Sequence, residues 1–555
     1  MASIFEDGTI SQLLKNSLQE TSILLIDDRP EARMVLRNML SVCELKRIKE
    51  AGSAMEAVKV LENLKADIVL SDYNLGDSRD GQQLYEELME RKLVSEATVY
   101  IMITGERTYE RVVRAAELAP DDYILKPFTP AILYSRIERA FIKKTSLLPV
   151  LERMAASDWE GAIQECDKQL LNKPKHPLEL FRLKGEALLA LGKLDDAEAL
   201  YLQVLASYKL PWADYGLARI ARMRGKLLLA VSKLEEIIED APYFIKAHDE
   251  LADVYEEMGD IEKAEKVLEK ANEVSPNSVK RQKKLAKAAF FVGKLGLAEN
   301  VLNNIVDKCK FSMSHDASDY ALLGKTLAQQ GKAEEGLSTL SAAVKFFGAS
   351  DVTTITQMSG QANLYFGANQ FDKARNSFNR AKALYEDKEP KLPEQILMDL
   401  AESAVRHNDI AFCNKLLALL PKGDAFSGLA QARMIAAMFD RAGRTDLAEN
   451  LVAASKQEVT TLNNAAVLAA REKKYDEAMP TIRRAAQALP EDLRVVSNMV
   501  KVLMAMVRDQ GYSEELNKEV LEGLEGLHLI SESTEKELRD FYSKLCKAIG
   551  APGAA

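Results

Sequence analysis

The 555-residue chain carries 84 acidic and 74 basic residues, a formal net charge of -10, which argues against a dedicated duplex-DNA binder because such binding rests on neutralising phosphates. Its 47% hydrophobic content suffices for extended cores and excludes a disordered chain. The cysteines, Cys43, Cys166, Cys309, Cys413 and Cys546, lie far apart without metal-ligand or redox spacing and read as reduced core residues. No apolar run approaches the roughly 18 residues of a membrane span, and Met1 to Thr21 lacks the basic segment and apolar stretch of a signal peptide. The expectation is a cytoplasmic protein.

Residues 1–20 read as an N-terminal extension. From 21 to 142 short apolar runs alternate with amphipathic segments, the pattern of strands and helices around a five-stranded, doubly wound parallel α/β sheet. The expected strands are Ile23 to Asp27, Arg47 to Ala51, Ile68 to Ser71, Val99 to Ile103 and Tyr123 to Leu125. Ligands of such sheets sit beyond the carboxyl ends of the strands, and here those ends read Asp27, Asp28, Asp72, Thr104 and Lys126.

From 143 to 492 the strand signal gives way to all-α periodicity. A small residue recurs at Ala162, Ala197, Ala230, Ala264, Ala298, Gly336, Ala374, Cys413, Ala448 and Ala478, at intervals of 30 to 39 residues. A fixed period of this kind is the mark of a repeat solenoid, and a coiled coil is disfavoured because the pattern restarts at each Gly-containing turn. About ten units are expected. Residues 493–555 read as capping helices and a frayed tail.

Two resemblances follow from these motifs. ILLIDD with Asp27 and Asp28, IVLSDYNLG with Asp72, MITGE with Thr104, and DYILKPF with Tyr123 and Lys126 together resemble the receiver domain of bacterial response regulators, of the chemotaxis-regulator-like kind. The 34-residue spacing, with Leu251, Ala252 and Tyr255 ahead of Ala264 and Leu268, Ala271 and Pro276 behind it, resembles the tetratricopeptide repeat.

The first resemblance implies that Asp72 takes a phosphoryl group from a sensor histidine kinase or phosphotransfer protein. Crowded carboxylates repel unless a divalent cation relieves them. Mg2+ or Mn2+ would be held by Asp27, Asp28, Asp72 and the backbone carbonyl of Asn74. Lys126 and Thr104 would contact the phosphoryl oxygens, and Tyr123 would swing inward behind Thr104. The face at 107–142 would carry the change, and the Lys126-Pro127 bond would be cis. Asn74 and Glu106 fall at the two positions that tune phosphate lifetime, and the pair implies a short-lived phosphate. The loop after Asp72 has Gly76 where a proline is common and Gly81 one residue later than usual.

The repeats imply protein binding. If the first helix of each unit lines a concave face, Trp212, Tyr215, Arg219 and Arg222 share one helical side. Lys280, Lys283 and Lys287 form a basic row, set apart by acidic Asp249, Asp253 and Glu256. An ordinary solvated face explains the same spacing equally well.

The leading expectation is a non-enzymatic two-component phosphorelay response regulator with an output through protein contacts to an unidentified target of the repeats. Two alternatives stand beside it: a competitor or phosphate sink that binds a kinase and limits signalling to another regulator, and a nucleic-acid-binding regulator acting through its repeats. Direct DNA binding and membrane insertion are not expected, and both the receiver face and the solenoid ends suit homodimer formation.

Overall fold

The computed structural model describes residues 17–76, 80–95, 97–105, 120–172, 174–276, 278–308, 315–421 and 424–551. Two compact units divide the chain: 1–220 with 233–252 and 265–319, and 221–232 with 253–264 and 320–555.

The first unit opens with β1 (Ile23–Ile26), α1 (Pro30–Val42), β2 (Ile48–Ala51), α2 (Ala54–Asn63), β3 (Ile68–Asp72), α3 (Gly81–Glu90), β4 (Val99–Thr104), β5 (Asp122–Leu125) and α4 (Pro130–Ala155). The strands form one sheet in the order β2-β1-β3-β4-β5, every pair parallel. Side chains alternate across it, as the two-residue period of a strand requires. Leu24, Ile26, Val69, Tyr100 and Met102 join a core with α2 and α3 residues. Ile23, Leu25, Ile68, Leu70, Ile101 and Ile103 join another with Leu36 and Leu40 of α1 and Leu133, Ile137 and Ala140 of α4. The sheet is thus covered on both faces, and the runs of its interior strands β1, β3 and β4 are largely apolar for that reason.

Helix starts follow local chemistry. Ser53 and Thr129 cap α2 and α4 by accepting from the amides of Glu56 and Ile132, and Asp80 with Gln83 forms a capping box on α3.

The rest of the described chain is helical. Ala162, Ala197, Ala230, Ala264, Ala298, Gly336, Ala374, Cys413, Ala448 and Ala478 are each the fourth residue of a helix, and all are buried. Two positions before each of these helices stands a residue with positive φ: Ser157, Gly192, Gly225, Gly259, Gly293, Gly331, Asn369, Asn408, Gly443 and Lys473. The turn between paired helices therefore demands the left-handed region. Glycine meets that demand at six of the ten positions, and asparagine, the next most tolerant residue, at Asn369 and Asn408.

Two features depart from a uniform repeat. The helix Thr445–Arg471 is 27 residues long and runs through the position where a further inter-helix turn is expected, because neither Gly nor Pro interrupts it. The boundary placed at 142 falls inside α4, which continues to Ala155 as a single 26-residue helix. Its later residues Leu147 and Val150 pack with Ala162, Cys166, Leu180, Leu183 and Ala187.

In the second unit a core built on Leu340, Ile355, Phe378, Ile396, Leu400, Phe412 and Phe439 is followed by another on Ile482, Val500, Leu503, Leu524 and Tyr542. The latter draws on the helices Leu493–Gln510, Glu514–Ile530 and Glu532–Ala548. Among the described residues, no helix is long and apolar enough to cross a membrane.

Candidate functional site

Sheet register assembles the site. Ile26 lies level with Ala51 and Ser71, Asp72 with Ile103, and Thr104 with Leu125. Asp27, Asp72, Thr104 and Lys126 therefore emerge at the same carboxyl edge. One carboxylate oxygen each from Asp27, Asp28 and Asp72 lies within 4.8 Å of the others.

Asp27 is fully buried and Asp72 is 6% exposed, while Asp28 is more open to solvent. Lys126 Nζ stands 3.3 Å from Asp27 Oδ2 and 3.1 Å from Asp72 Oδ2, and the Lys126-Pro127 peptide bond is cis. The Tyr73 amide donates to Asp72 Oδ1 at 2.9 Å. Burial pushes the Asp72 carboxyl above the ordinary carboxylate range, with Asp27 adding to it, although Lys126 and the Tyr73 amide pull the other way.

The donor set fits a hard divalent cation. Three carboxylates against one ammonium leave a formal charge of -3 + 1 = -2, all the donors are oxygens, and two of them are withdrawn from water. Such a set suits Mg2+ or Mn2+ and not a softer metal.

Thr104 is 3% exposed, and its carbonyl accepts from the Lys126 amide at 2.8 Å. Tyr123 is 7% exposed and belongs to the cluster of Tyr73, Tyr85, Tyr100 and Met102. Asn74 is exposed and bridges to Asp80 across the loop. Glu106 and residues 107–119 of the expected output face lie outside the described residues, as does Cys309.

Two supports escaped the sequence reading. Arg33 donates from Nη1 to the Asp27 carbonyl at 2.7 Å and from Nε to Glu50 at 3.3 Å, tying the β1 end to β2. Tyr73 Oη donates to Asp80 Oδ2 at 2.8 Å, closing the loop that follows Asp72. The first left a signal, an arginine one turn into α1 and a glutamate, Glu50, in β2. The second left none, since it depends on how the loop closes.

Gly76 is constrained from two sides. Its φ is +66°, and a Cβ there would fall 2.3 Å from Asp28 Oδ2. Gly76→Ala should displace the Asp28 carboxylate and weaken Mg2+ binding by about tenfold or more, as disturbed support of metal ligands generally does. Calorimetric titration of the full chain checks this, and unchanged affinity would refute the role given to Asp28.

Residues 23–138 match the response regulator receiver domain family, and 182–243 and 245–278 match tetratricopeptide repeat families. The chain joins a receiver domain to tetratricopeptide repeats. Its receiver is 29% identical over 119 residues to chemotaxis protein CheY-3 of Vibrio cholerae, spanning 21% of this chain and 90% of that protein. It is 29% identical over 117 residues to chemotaxis protein CheY1 of Helicobacter pylori, spanning 21% of this chain and 93% of that protein. A solved tetratricopeptide repeat protein from Parabacteroides merdae aligns at 16% identity and a TM-score of 0.28, over 46% of this chain and 96% of its own.

Most of the repeat residues singled out for a partner groove are engaged with other residues of the repeats. Arg219 pairs with Glu186 at 2.7 Å and Arg222 with Glu257 at 3.0 Å. Lys283 pairs with Asp316 at 2.8 Å and Asp319 at 3.0 Å. Tyr215 Oη donates to Glu250 at 3.1 Å, and Trp212 meets Tyr201 edge-on at 6.1 Å. Asp249 of the acidic row is taken by Arg281, at 2.7 Å through both Nε and Nη2. These ion pairs and the tyrosine hydrogen bond join residues 32 to 36 positions apart, so they staple one repeat to the next. Lys280 is exposed and Lys287 half-buried.

Proposed function

We propose that the protein is a phosphorylation-controlled response regulator in which Asp72 accepts a phosphoryl group from a phosphohistidine of a kinase or phosphotransfer partner, and in which the repeats bind a protein target. The observation that carries this reading is the convergence of Asp27, Asp28 and Asp72 on one strand edge, with Lys126 3.1 Å from Asp72. A divalent cation held by those carboxylates and the Asn74 carbonyl would neutralise charge on the transferring oxygens.

This chain's residues do the rest. Asp72 presents a carboxylate oxygen for in-line attack, and the P–N bond to the donor imidazole breaks as the P–O bond forms. Lys126 keeps a positive charge beside Asp72 where the acyl phosphate forms, and the Thr104 hydroxyl, one strand away, would donate to a phosphoryl oxygen. Asp27, fixed through its carbonyl by Arg33, keeps the pocket anionic until the cation and phosphoryl group arrive.

The test is incorporation of phosphate from acetyl phosphate with Mg2+, read by intact mass. Wild type should gain one phosphoryl group and Asp72→Asn none, with chelation abolishing the gain. Undiminished incorporation in Asp72→Asn would place the acceptor elsewhere and end this reading.

A further inference from the structure

The last helix of the receiver is also the first helix of the first repeat pair. From Pro130 to Ala155, α4 is continuous. Leu133, Ile137 and Ala140 are set into the receiver core, and Leu147 and Val150 into the core shared with the helix Trp159–Leu171. No linker separates the two, and a helix anchored in two cores cannot shift in one without disturbing the other.

Ion pairs grip the same helix on both sides. Asp122, the first residue of β5, receives Arg136 at 3.0 Å and Arg139 at 2.7 Å. Asp121 receives Lys144 at 3.0 Å, and both of these side chains are mostly buried, at 21% and 15% exposure. On the repeat side Lys143 reaches Glu179 at 2.7 Å, in the first turn of the helix Pro177–Ala190. The gripping residues precede Pro149, the one helix-breaking residue inside α4, so the segment that bears them is uninterrupted.

The same strand leads back to the acidic pocket. β5 carries Tyr123 and ends one residue before Lys126, whose ammonium lies between Asp27 and Asp72. A charge change at Asp72 therefore acts on an element whose other end is clamped to α4.

We propose that α4 is a lever that carries the state of Asp72 from β5 into the first repeat, with Asp121 and Asp122 as its receiver-side grip and the Lys143–Glu179 pair as its repeat-side grip. This rests on the phosphoacceptor reading of Asp72 and adds the route by which it is read out. The grip residues are positioning residues and touch neither the phosphoryl group nor the cation.

Hydrogen exchange of the full chain, with acetyl phosphate and Mg2+ in excess, tests the lever. In wild type, amide exchange in Pro177–Ala190 should change by about fivefold or more on phosphorylation, the lower end of ordinary coupling between sites. Lys143→Ala with Lys144→Ala should reduce that change to less than about twofold while phosphoryl incorporation stays at the wild-type level. Lys144→Asp alone should blunt the change, and the charge exchange Asp121→Lys with Lys144→Asp should restore a substantial part of it, which a merely destabilising substitution would not do. Incorporation with an undiminished response in the double alanine variant overturns the lever and leaves the acceptor reading standing. Absence of incorporation in wild type removes that reading, and the lever with it.

Discussion

Lys126→Met is expected to lower the stability of the receiver in metal-free buffer by about 2–3 kcal/mol, because it leaves buried carboxylates without their cation. Asp27 is fully buried and Asp72 nearly so, and Lys126 is the ammonium within 3.3 Å of both. The side chain of Lys126 is 27% exposed, so solvent screens part of the pair and the loss should fall below that of a fully enclosed bridge. Methionine keeps the length and apolar stem, which confines the change to the charge.

The same substitution should strengthen Mg2+ binding. Removing the unit positive charge beside the site relieves its repulsion of a divalent cation, and with about 1.4–2.7 kcal/mol of that repulsion surviving screening by solvent, affinity should rise roughly ten- to hundredfold. Saturating Mg2+ should then return much of the lost stability, since a ligand that binds only the folded state stabilises it by mass action, by about 2.7 kcal/mol at one hundred times its Kd. Hydrogen exchange of the β1 and β3 amides, with chelator and with Mg2+, reads both effects. A variant as stable as wild type in chelator would mean that Lys126 does not hold the pocket together.

The receiver pocket was legible because its chemistry is written at strand ends. Expected strands such as Ile68 to Ser71 and Val99 to Ile103 fall one residue short of β3, Ile68–Asp72, and β4, Val99–Thr104. The two added residues, Asp72 and Thr104, are the ones proposed as phosphoacceptor and phosphoryl contact: polar side chains ended the apolar run while the backbone kept its ladder. The repeat phase was legible for a related reason. A helix pair packs closely only where its contact residue is small, and every small residue in the series from Ala162 to Ala478 is buried at the same place in its helix.

Less of the groove could be read. Spacing shows that Arg219 and Arg222 share a face, but it cannot show that Glu186 and Glu257, a whole repeat away, come within reach of them. Nor did the change from sheet to helix pattern near residue 142 reveal a shared helix, since α4 is amphipathic on both sides of that point and only its contacts reveal two cores.

In the second unit, Lys325→Met should destabilise that unit by about 3–5 kcal/mol, the cost of leaving buried charges without their partner. Lys325 of the helix Ala317–Gln329 bonds Asp399 and lies 3.0 Å from Glu402 of the helix Glu394–Arg406. Asp399 is 1% and Glu402 4% exposed. Asn363, from the helix between them, donates to the Asp399 carbonyl at 2.9 Å and accepts from Ser403 Oγ at 2.9 Å, and Arg406 Nη2 donates to Glu402 at 2.7 Å. Three successive first helices are stitched through this cluster, so the loss should be felt across them.

The response to pH identifies the cause. Burial pushes the Asp399 carboxyl above the ordinary range even with Lys325 beside it. Burial also acts to lower the Lys325 pKa, but Asp399 and Glu402 outweigh it and raise the value. Without Lys325 the folded-state pKa of Asp399 rises further above its unfolded value. A group shifted in that direction favours the folded state below its unfolded pKa and loses that contribution as pH climbs through the folded one. The deficit of Lys325→Met relative to wild type should therefore be small near pH 4 and grow toward pH 8, as read by urea unfolding of the full chain followed through hydrogen exchange in Glu394–Arg406. Adding Asp399→Asn to Lys325→Met should recover most of the loss, since Glu402 keeps its pairing with Arg406 and no unpaired charge is left to desolvate. A deficit that is the same at both pH values, or that the double variant does not relieve, would assign the effect to packing of the lysine stem and not to its charge.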